Sequence, residues 1–178
     1  RSSILRLCYP AHYVKPFVTG EAVRDWCMNI SDFALAHYDE TFEPVPLGPL
    51  WQRGLWPSRT VIWSTVSFAG RTRRENGDRW WTWYRWIPSR YLKQLSIVFS
   101  EQATHGHFSL DVGGKVFKQT APVIKLVGSA NVSDHLGLLE LLNSSTICFW
   151  LRQVTLPKGT ELGWESRMVI DGSKLARL

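Results

Sequence analysis

Two histidines separated by a single glycine form the most chemically specific motif in this sequence. His105 and His107 lie at positions i and i+2, so on an extended segment both side chains would point to one face and could share a metal ion. Asp111 follows four residues after His107 and could supply a carboxylate ligand. A Pro–x–Gly turn comes later, at residues 157–159.

This order resembles the metal-binding motif of cupins, in which two histidines and a carboxylate are followed by Pro–x–Gly and a third histidine. Two departures argue against a metal: the carboxylate is Asp111 where cupins have glutamate, and Leu162 stands where the third histidine would be. We therefore expect no metal, no other cofactor and two exposed histidines on a turn. The sequence also lacks a GxSxG element, a phosphate-binding loop and a dinucleotide fingerprint, so we expect no catalytic residues.

Basic charge is concentrated in one part of the chain. The 178 residues carry 21 Lys and Arg against 15 Asp and Glu, a net charge of +6. Residues 59–100 hold eight basic and two acidic side chains, and so carry the whole excess. Cations interleaved with aromatic rings suit nucleic acid, because cations neutralise phosphates and rings stack on bases. The alternative is that the rings fill a core or an interface while the arginines lie on a solvated loop.

The apolar pattern predicts one domain that is rich in strands. The chain is 44% apolar, enough for a single core, and no apolar run approaches the roughly 20 residues of a membrane span. Residues 1–19 are interpreted as an extended arm, and a stripe of period 3.6 predicts a helix over residues 20–38, with a strand over residues 30–38 as the alternative. From residue 59 the period changes to two, which is typical of a sandwich or barrel. The predicted strands are residues 59–69, 79–87, 94–100, 107–112, 115–119, 123–127, 138–142, 146–156 and 162–170.

The order of these elements resembles the jelly-roll capsid proteins of picorna-like plant viruses, the secoviruses, and above all their small cheravirus-type coat proteins. The likeness covers roughly residues 45–175, where a basic loop is followed by a tryptophan-rich strand, a hairpin and two final antiparallel strands. The resemblance implies an all-β fold: an eight-stranded antiparallel jelly-roll sandwich with BIDG and CHEF sheets, preceded by an extended N-terminal arm and a short helix. The arm and helix would occupy residues 1–44, and the jelly-roll domain residues 45–178.

The resemblance also implies a structural role with no enzymatic activity. The chain would assemble with two other coat subunits into a pseudo-T=3 icosahedral shell, and would bind genomic single-stranded RNA non-specifically. It would occur in the virion and, during assembly, in the host cytoplasm, with no membrane contact and no small-molecule substrate. An N-terminal arginine is what cleavage of a viral polyprotein would leave. The candidate RNA-facing residues are Arg71, Arg73, Arg74 and Arg79, and the candidate inter-subunit residues are Trp80, Trp81, Trp83 and Trp86.

Two other protein classes stay open at this point. In a carbohydrate-binding β-sandwich, exposed tryptophan rings would stack on sugars, and three N-x-S sequons would fit a secreted glycoprotein. An odd number of cysteines with no disulfide framework argues against secretion. A degenerate cupin-like metalloprotein is the second alternative. The sequon asparagines are Asn29, Asn131 and Asn143.

Overall fold

The chain forms two compact units, each assembled from separate stretches of sequence. The computed structural model describes residues 9–67, 69–84, 86–93, 95–159, 163 and 165–178. Residues 1–8 of the predicted arm, and Leu162, lie outside the described residues. The first unit comprises residues 1–15 and 35–92, and the second comprises residues 16–34 and 93–178. The predicted boundary at residue 44 falls within the first unit.

Net charge divides sharply between the two units. The sequence of the first unit holds eleven Lys and Arg against five Asp and Glu, whereas the second unit holds ten of each. The first unit therefore carries the whole net charge of +6, and the second is neutral overall.

Short helices and turns build the first unit. Helix α1 (Pro49–Leu55) begins with a proline at its first position, where the missing N–H is not needed by the helix. A 3-10 turn (Trp56–Ser58) leads directly into α2 (Arg59–Trp63), and α3 (Ser89–Leu92) comes near the end of the unit. The strand predicted over residues 59–69 is wrong in its first half, which forms α2. The 3-10 turn before α2 already has a helical backbone conformation, and α2 continues it without a break. The strand predicted over residues 79–87 is also wrong, since the described residues there form turns, a bend and irregular segments.

Small sheets dominate the second unit. The strands are β1 (Val14–Val18), β2 (Val23–Arg24), β3 (Cys27–Met28), β4 (Asp32–Leu35), β5 (Ser96–Phe99), β6 (Gln102–Ala103), β7 (Phe108–Asp111), β8 (Val116–Phe117), β9 (Val123–Ile124), β10 (Leu156–Pro157) and β11 (Met168–Val169). Three-stranded sheets have the orders β4-β1-β8, β10-β11-β6 and β7-β5-β9, while β2 and β3 form a separate hairpin. Strands β1 and β8 run parallel, and β5 pairs antiparallel with both β7 and β9.

The main core of the second unit lies between the β7-β5-β9 sheet and two helices, α4 (Val132–Leu142) and α5 (Ser145–Val154). Side chains alternate along β5, so Ile97 and Phe99 belong to this core while Val98 belongs to a second apolar cluster with Val18, Val23 and Ala121. A short helix, α6 (Gly172–Leu175), follows the last strand. The main core consists of Ile97, Phe99, Phe108, Leu139, Leu142, Ile147, Leu151, Met168 and Ile170.

Helix capping explains why the strands predicted over residues 138–142 and 146–156 are wrong. The Asn131 side chain accepts a hydrogen bond from the Asp134 N–H at 3.1 Å, and the Asp134 carboxylate accepts one from the Asn131 N–H at 2.8 Å. This reciprocal pair starts α4, and the Ser144 hydroxyl, which accepts from the Ile147 N–H at 3.3 Å, starts α5. Two of the sequon asparagines therefore lie at the ends of α4, Asn131 at its N-terminus and Asn143 at its C-terminus.

The helix predicted over residues 20–38 is wrong as well. A 3-10 turn (Gly20–Ala22) is followed by β2, β3 and β4, and β4 falls within the alternative strand over residues 30–38. A Cβ at Gly20 would lie 2.4 Å from the Thr120 carbonyl oxygen, so this close approach, and not a helix start, accounts for the glycine.

Other predicted strands are confirmed in position: β5, β7, β8 and β9 each lie inside a predicted segment. The described residues neither show nor exclude the jelly-roll arrangement, which stays a prediction. None of the helices described here has the length and apolar character needed to cross a membrane.

Candidate functional site

Arginines and indole rings lie together on a surface of the first unit, which we call the Arg–Trp surface (Trp56, Arg59, Trp63, Arg71, Arg74, Arg79 and Trp81). The 3-10 turn and α2 bring Trp56, Arg59 and Trp63 onto one side, at helical spacing. The Arg59 guanidinium carbon lies 4.3 Å from the centroid of Trp56 and 4.2 Å from that of Trp63. At these distances the cation is attracted to the faces of both rings.

The basic loop that follows α2 is tightly hydrogen-bonded. The Glu75 carboxylate accepts from the Thr72 N–H at 2.7 Å and from the Thr72 hydroxyl at 2.8 Å. These bonds lower the pKa of Glu75. Gly77, at φ +75°, closes the turn that the sequence predicted here. Glu75 thus holds the loop through Thr72, while Arg71 and Arg74 remain exposed.

Arg73 differs from the other predicted RNA-facing residues because its side chain is buried, at 3% exposure. Its Nη2 donates to the Thr82 hydroxyl at 2.6 Å and to the Arg79 carbonyl at 3.2 Å. Its Nε lies 3.8 Å from the Asp78 carboxylate. Arg73 therefore joins the loop to the segment after it, and its predicted contact with RNA is wrong.

The other three predicted arginines are exposed. The Arg74 guanidinium lies 5.5 Å from the Trp63 ring centroid, and that of Arg79 lies 5.8 Å from the Trp81 centroid. Arg79 also donates to the Pro44 carbonyl at 2.8 Å, so it has a structural contact besides its exposure. Arg71 and Arg74 are therefore the better candidates for binding a partner from solution.

The four tryptophans predicted to lie at an inter-subunit interface have packing or hydrogen-bond partners within the first unit. Trp80 is 4% exposed and meets Trp81 edge-on, at 5.9 Å between centroids. Trp86 stacks between Tyr38 and Tyr91, at 4.1 and 4.3 Å. Three of the indole N–H groups donate hydrogen bonds to backbone carbonyls of the same unit. Trp81 donates to Val45 at 3.1 Å, Trp83 to Leu35 at 2.8 Å and Trp86 to Phe42 at 2.8 Å.

In the second unit, Asp25 joins the two histidines of the His–Gly–His motif, and we call these three residues the Asp25 site. Asp25 Oδ1 lies 2.7 Å from His107 Nδ1, and Asp25 Oδ2 lies 3.7 Å from His105 Nε2. The two imidazole rings are 4.1 Å apart at their centroids. One ligand atom from each residue falls within 4.8 Å of the other two.

Backbone contacts bring Asp25 to the histidines. Asp25 occupies the tight turn between β2 and β3, where Trp26 adopts φ +66°, and the Trp26 N–H donates to the Phe108 carbonyl at 3.0 Å. Gly106 faces the core: a Cβ there would lie 2.7 Å from the Phe108 ring. Because the middle residue of the motif points inward, His105 and His107 turn outward toward Asp25.

Asp111, the predicted carboxylate partner of the histidines, forms an ion pair with Lys115 and not a contact with either histidine. Asp111 is buried, and its Oδ1 accepts from Lys115 Nζ at 2.7 Å across the Gly113–Gly114 turn. The cupin-like ligand set of His105, His107 and Asp111 is therefore wrong. Nothing in the sequence pointed to Asp25, which lies 82 residues before His107. The two histidines were predicted to be exposed, whereas the side chain of His107 is only 14% exposed.

Comparison with known proteins identifies a methyltransferase as a relative of this chain, although no family model matches it. The relative is the adenine-specific methyltransferase PglX of Streptomyces coelicolor, which is 36% identical over 188 aligned positions. The alignment includes 93% of this chain but only 15% of that protein. The chain thus resembles one segment of a much longer enzyme.

This similarity corrects the sequence-based assignment. The secovirus coat-protein prediction, with its capsid role, is wrong, because the resemblance to coat proteins was one of element order whereas this similarity is of residue identity along nearly the whole chain. The carbohydrate-binding and cupin-like alternatives have no support either. The expectation of a protein without enzymatic activity is contradicted too, since the relative is a named enzyme.

Proposed function

We propose that this chain serves adenine methylation as one segment of a longer methyltransferase, and that its first unit binds the DNA substrate. The similarity to an adenine-specific methyltransferase supports the class of reaction. The concentration of the entire +6 charge in the first unit is the observation that carries the DNA-binding role.

Phosphate contact is the chemistry that the Arg–Trp surface suits best. Arg71 and Arg74 are exposed on a loop whose acidic residue, Glu75, is hydrogen-bonded to Thr72. Cations in this position release counterions from DNA when they bind phosphates, which gives affinity without reading sequence. The adjacent ring of Trp63, half-buried beside Arg59 and Arg74, holds both guanidinium groups in place.

Duplex DNA is the substrate that we propose for this surface, and single-stranded RNA is the competing one. Enzymes that modify a base must take it out of the stack, and they need contacts with the flanking backbone to hold the duplex while they do so. The Arg–Trp surface would supply such backbone contacts.

Salt-dependent binding of a labelled DNA duplex tests the proposal. The dissociation constant of the chain would be measured by fluorescence anisotropy between about 50 and 200 mM salt. Changing both Arg71→Gln and Arg74→Gln should weaken binding and reduce the slope of log affinity against log salt by about 0.9 for each phosphate that the variant no longer neutralises. A matched control, Lys158→Gln with Arg177→Gln, removes the same charge from exposed positions of the second unit and should leave the slope unchanged.

Three results would overturn the proposal. An unchanged salt slope in the Arg71/Arg74 variant would show that the loop does not contact the DNA. An equal loss of affinity and slope in the control would show that only the net charge of the chain matters. Binding of single-stranded RNA more than tenfold tighter than duplex DNA would favour the competing substrate.

A further inference from the structure

We propose that Asp25, His105 and His107 bind one divalent transition-metal ion, for which Zn²⁺ is the reference. This site lies in the second unit and is independent of the proposed DNA-binding surface. Two imidazoles and a carboxylate are a common ligand set for Zn²⁺ and other first-row divalent ions, with solvent completing the coordination.

The spacing of the ligand atoms fits such an ion. Bonds near 2.1 Å in a tetrahedral arrangement place ligand atoms about 3.4 Å apart. The two Asp25–histidine distances, 2.7 and 3.7 Å, lie on either side of that value. The side chains of Asp25 and His105 are 49% and 47% exposed, so an ion can reach them from solvent.

The arrangement has features that a simple ion pair does not require. Each oxygen of one carboxylate faces a different imidazole, so two histidines share a single acceptor group. The two imidazole rings are 4.1 Å apart at their centroids, so a single ion beside the Asp25 carboxylate can reach both of them.

Hydrogen bonds from Thr104 and Arg152 set the orientation of His105. Its Nδ1 is hydrogen-bonded to the Thr104 hydroxyl at 3.2 Å, which leaves Nε2 directed at Asp25. The Thr104 carbonyl accepts from the guanidinium of Arg152 on α5. Partners on the second ring nitrogen fix ring orientation in metal sites, and their loss typically weakens metal affinity about 10- to 100-fold.

The ion would join two elements distant in sequence, the β2–β3 turn and the segment before β7. Trp26, beside Asp25, holds a left-handed backbone conformation that is uncommon for residues other than glycine. Such conformations persist where surrounding contacts hold them, and they cluster at binding sites. A ligand that binds the folded chain alone also raises its stability.

Calorimetric titration of the metal-free chain with Zn²⁺ tests the site, with a thermal melt as the second measurement. We expect one equivalent of Zn²⁺ per chain and a higher melting temperature when it is bound. Asp25→Asn and His105→Gln should each weaken binding at least tenfold and abolish the thermal shift, and Thr104→Val should weaken binding about tenfold. His12→Gln, an exposed histidine of the first unit, is the matched control and should bind as the unaltered chain does.

Each variant is first melted without metal, so that a folding defect is distinguished from a missing ligand. Asp25→Asn keeps the size of the side chain and should melt close to the unaltered chain, which makes it the decisive variant. Failure of the unaltered chain to bind Zn²⁺ or Co²⁺ stoichiometrically would overturn the proposal, as would full affinity in Asp25→Asn.

Discussion

The side-chain amide of Asn143 binds both backbone groups of Phe108. The Phe108 N–H donates to Asn143 Oδ1 at 3.2 Å, and Asn143 Nδ2 donates to the Phe108 carbonyl at 3.0 Å. The same carbonyl also accepts from the N–H of Trp26. One residue's backbone therefore ties the α4–α5 junction to β7 and to the turn that carries Asp25.

Asn143→Ala should lower the free energy of unfolding by about 2 kcal/mol, because it removes two hydrogen bonds to partly buried backbone groups. Urea unfolding followed by circular dichroism measures the change. Asn29→Ala is the matched control, since Asn29 is exposed, and its effect should stay within about 0.5 kcal/mol. Equal stability of the two variants would show that the Asn143–Phe108 contact contributes nothing.

Gly106→Ala should destabilise the chain by about 1–3 kcal/mol, because the new methyl group would meet the Phe108 ring at 2.7 Å. Gly137→Ala provides the opposite case within α4. A Cβ there meets nothing within 4 Å, so the better helix propensity of alanine should raise stability by about 0.5–1 kcal/mol. Thermal melts of both variants check the difference in sign, and a loss of stability in both would contradict it.

Lys115→Met should lower the free energy of unfolding by about 3 kcal/mol, because it removes the ammonium group that forms the ion pair with the buried Asp111 carboxylate. Lys118→Met is the control: Lys118 is exposed, three residues away, and should tolerate the change. Denaturant unfolding at neutral pH measures both. A loss below about 0.5 kcal/mol in Lys115→Met would mean that the ion pair gives no net stability.

His37 should make the stability of the chain depend on pH. Burial, with a smaller effect from His12, lowers the pKa of His37 from 6.5 to about 4. The unfolded chain therefore takes up a proton near pH 6.5 that the folded chain takes up only near pH 4, so stability is complete above pH 6.5 and falls as the pH drops toward 4. At about 1.4 kcal/mol per pKa unit, the loss between pH 7 and 4 is about 3 kcal/mol.

His37→Phe should remove this part of the pH dependence, because it places a ring that cannot be protonated among the aromatic neighbours of His37, which are Tyr9, Tyr13 and Trp51. The measurement is the free energy of unfolding at several pH values between about 4 and 7 for both proteins. His12→Gln should keep most of the dependence, since burial is its main cause. Identical profiles for the unaltered chain and His37→Phe would contradict the prediction.

Local features of this protein followed from its sequence alone. The His105–Gly106–His107 motif, the basic segment after residue 59, the turn at Gly77 and the positions of β5 and β7 were all predicted, because turn propensity, charge and apolar periodicity depend on neighbouring residues. The apolar pattern wrongly predicted strands over residues 138–142 and 146–156, which are helical. The local signal for these helices is the pair of capping residues, Asn131 for α4 and Ser144 for α5.

Only the tertiary structure decided which residues act together. It selected Asp25 over Asp111 as the partner of the histidines, because a backbone hydrogen bond from Trp26 to Phe108 brings two distant segments into contact. It also separated Arg73, buried against Thr82, from the exposed Arg71 and Arg74, although all three belong to one short basic run. Burial and partner choice depend on packing between residues far apart in sequence, which no local pattern records.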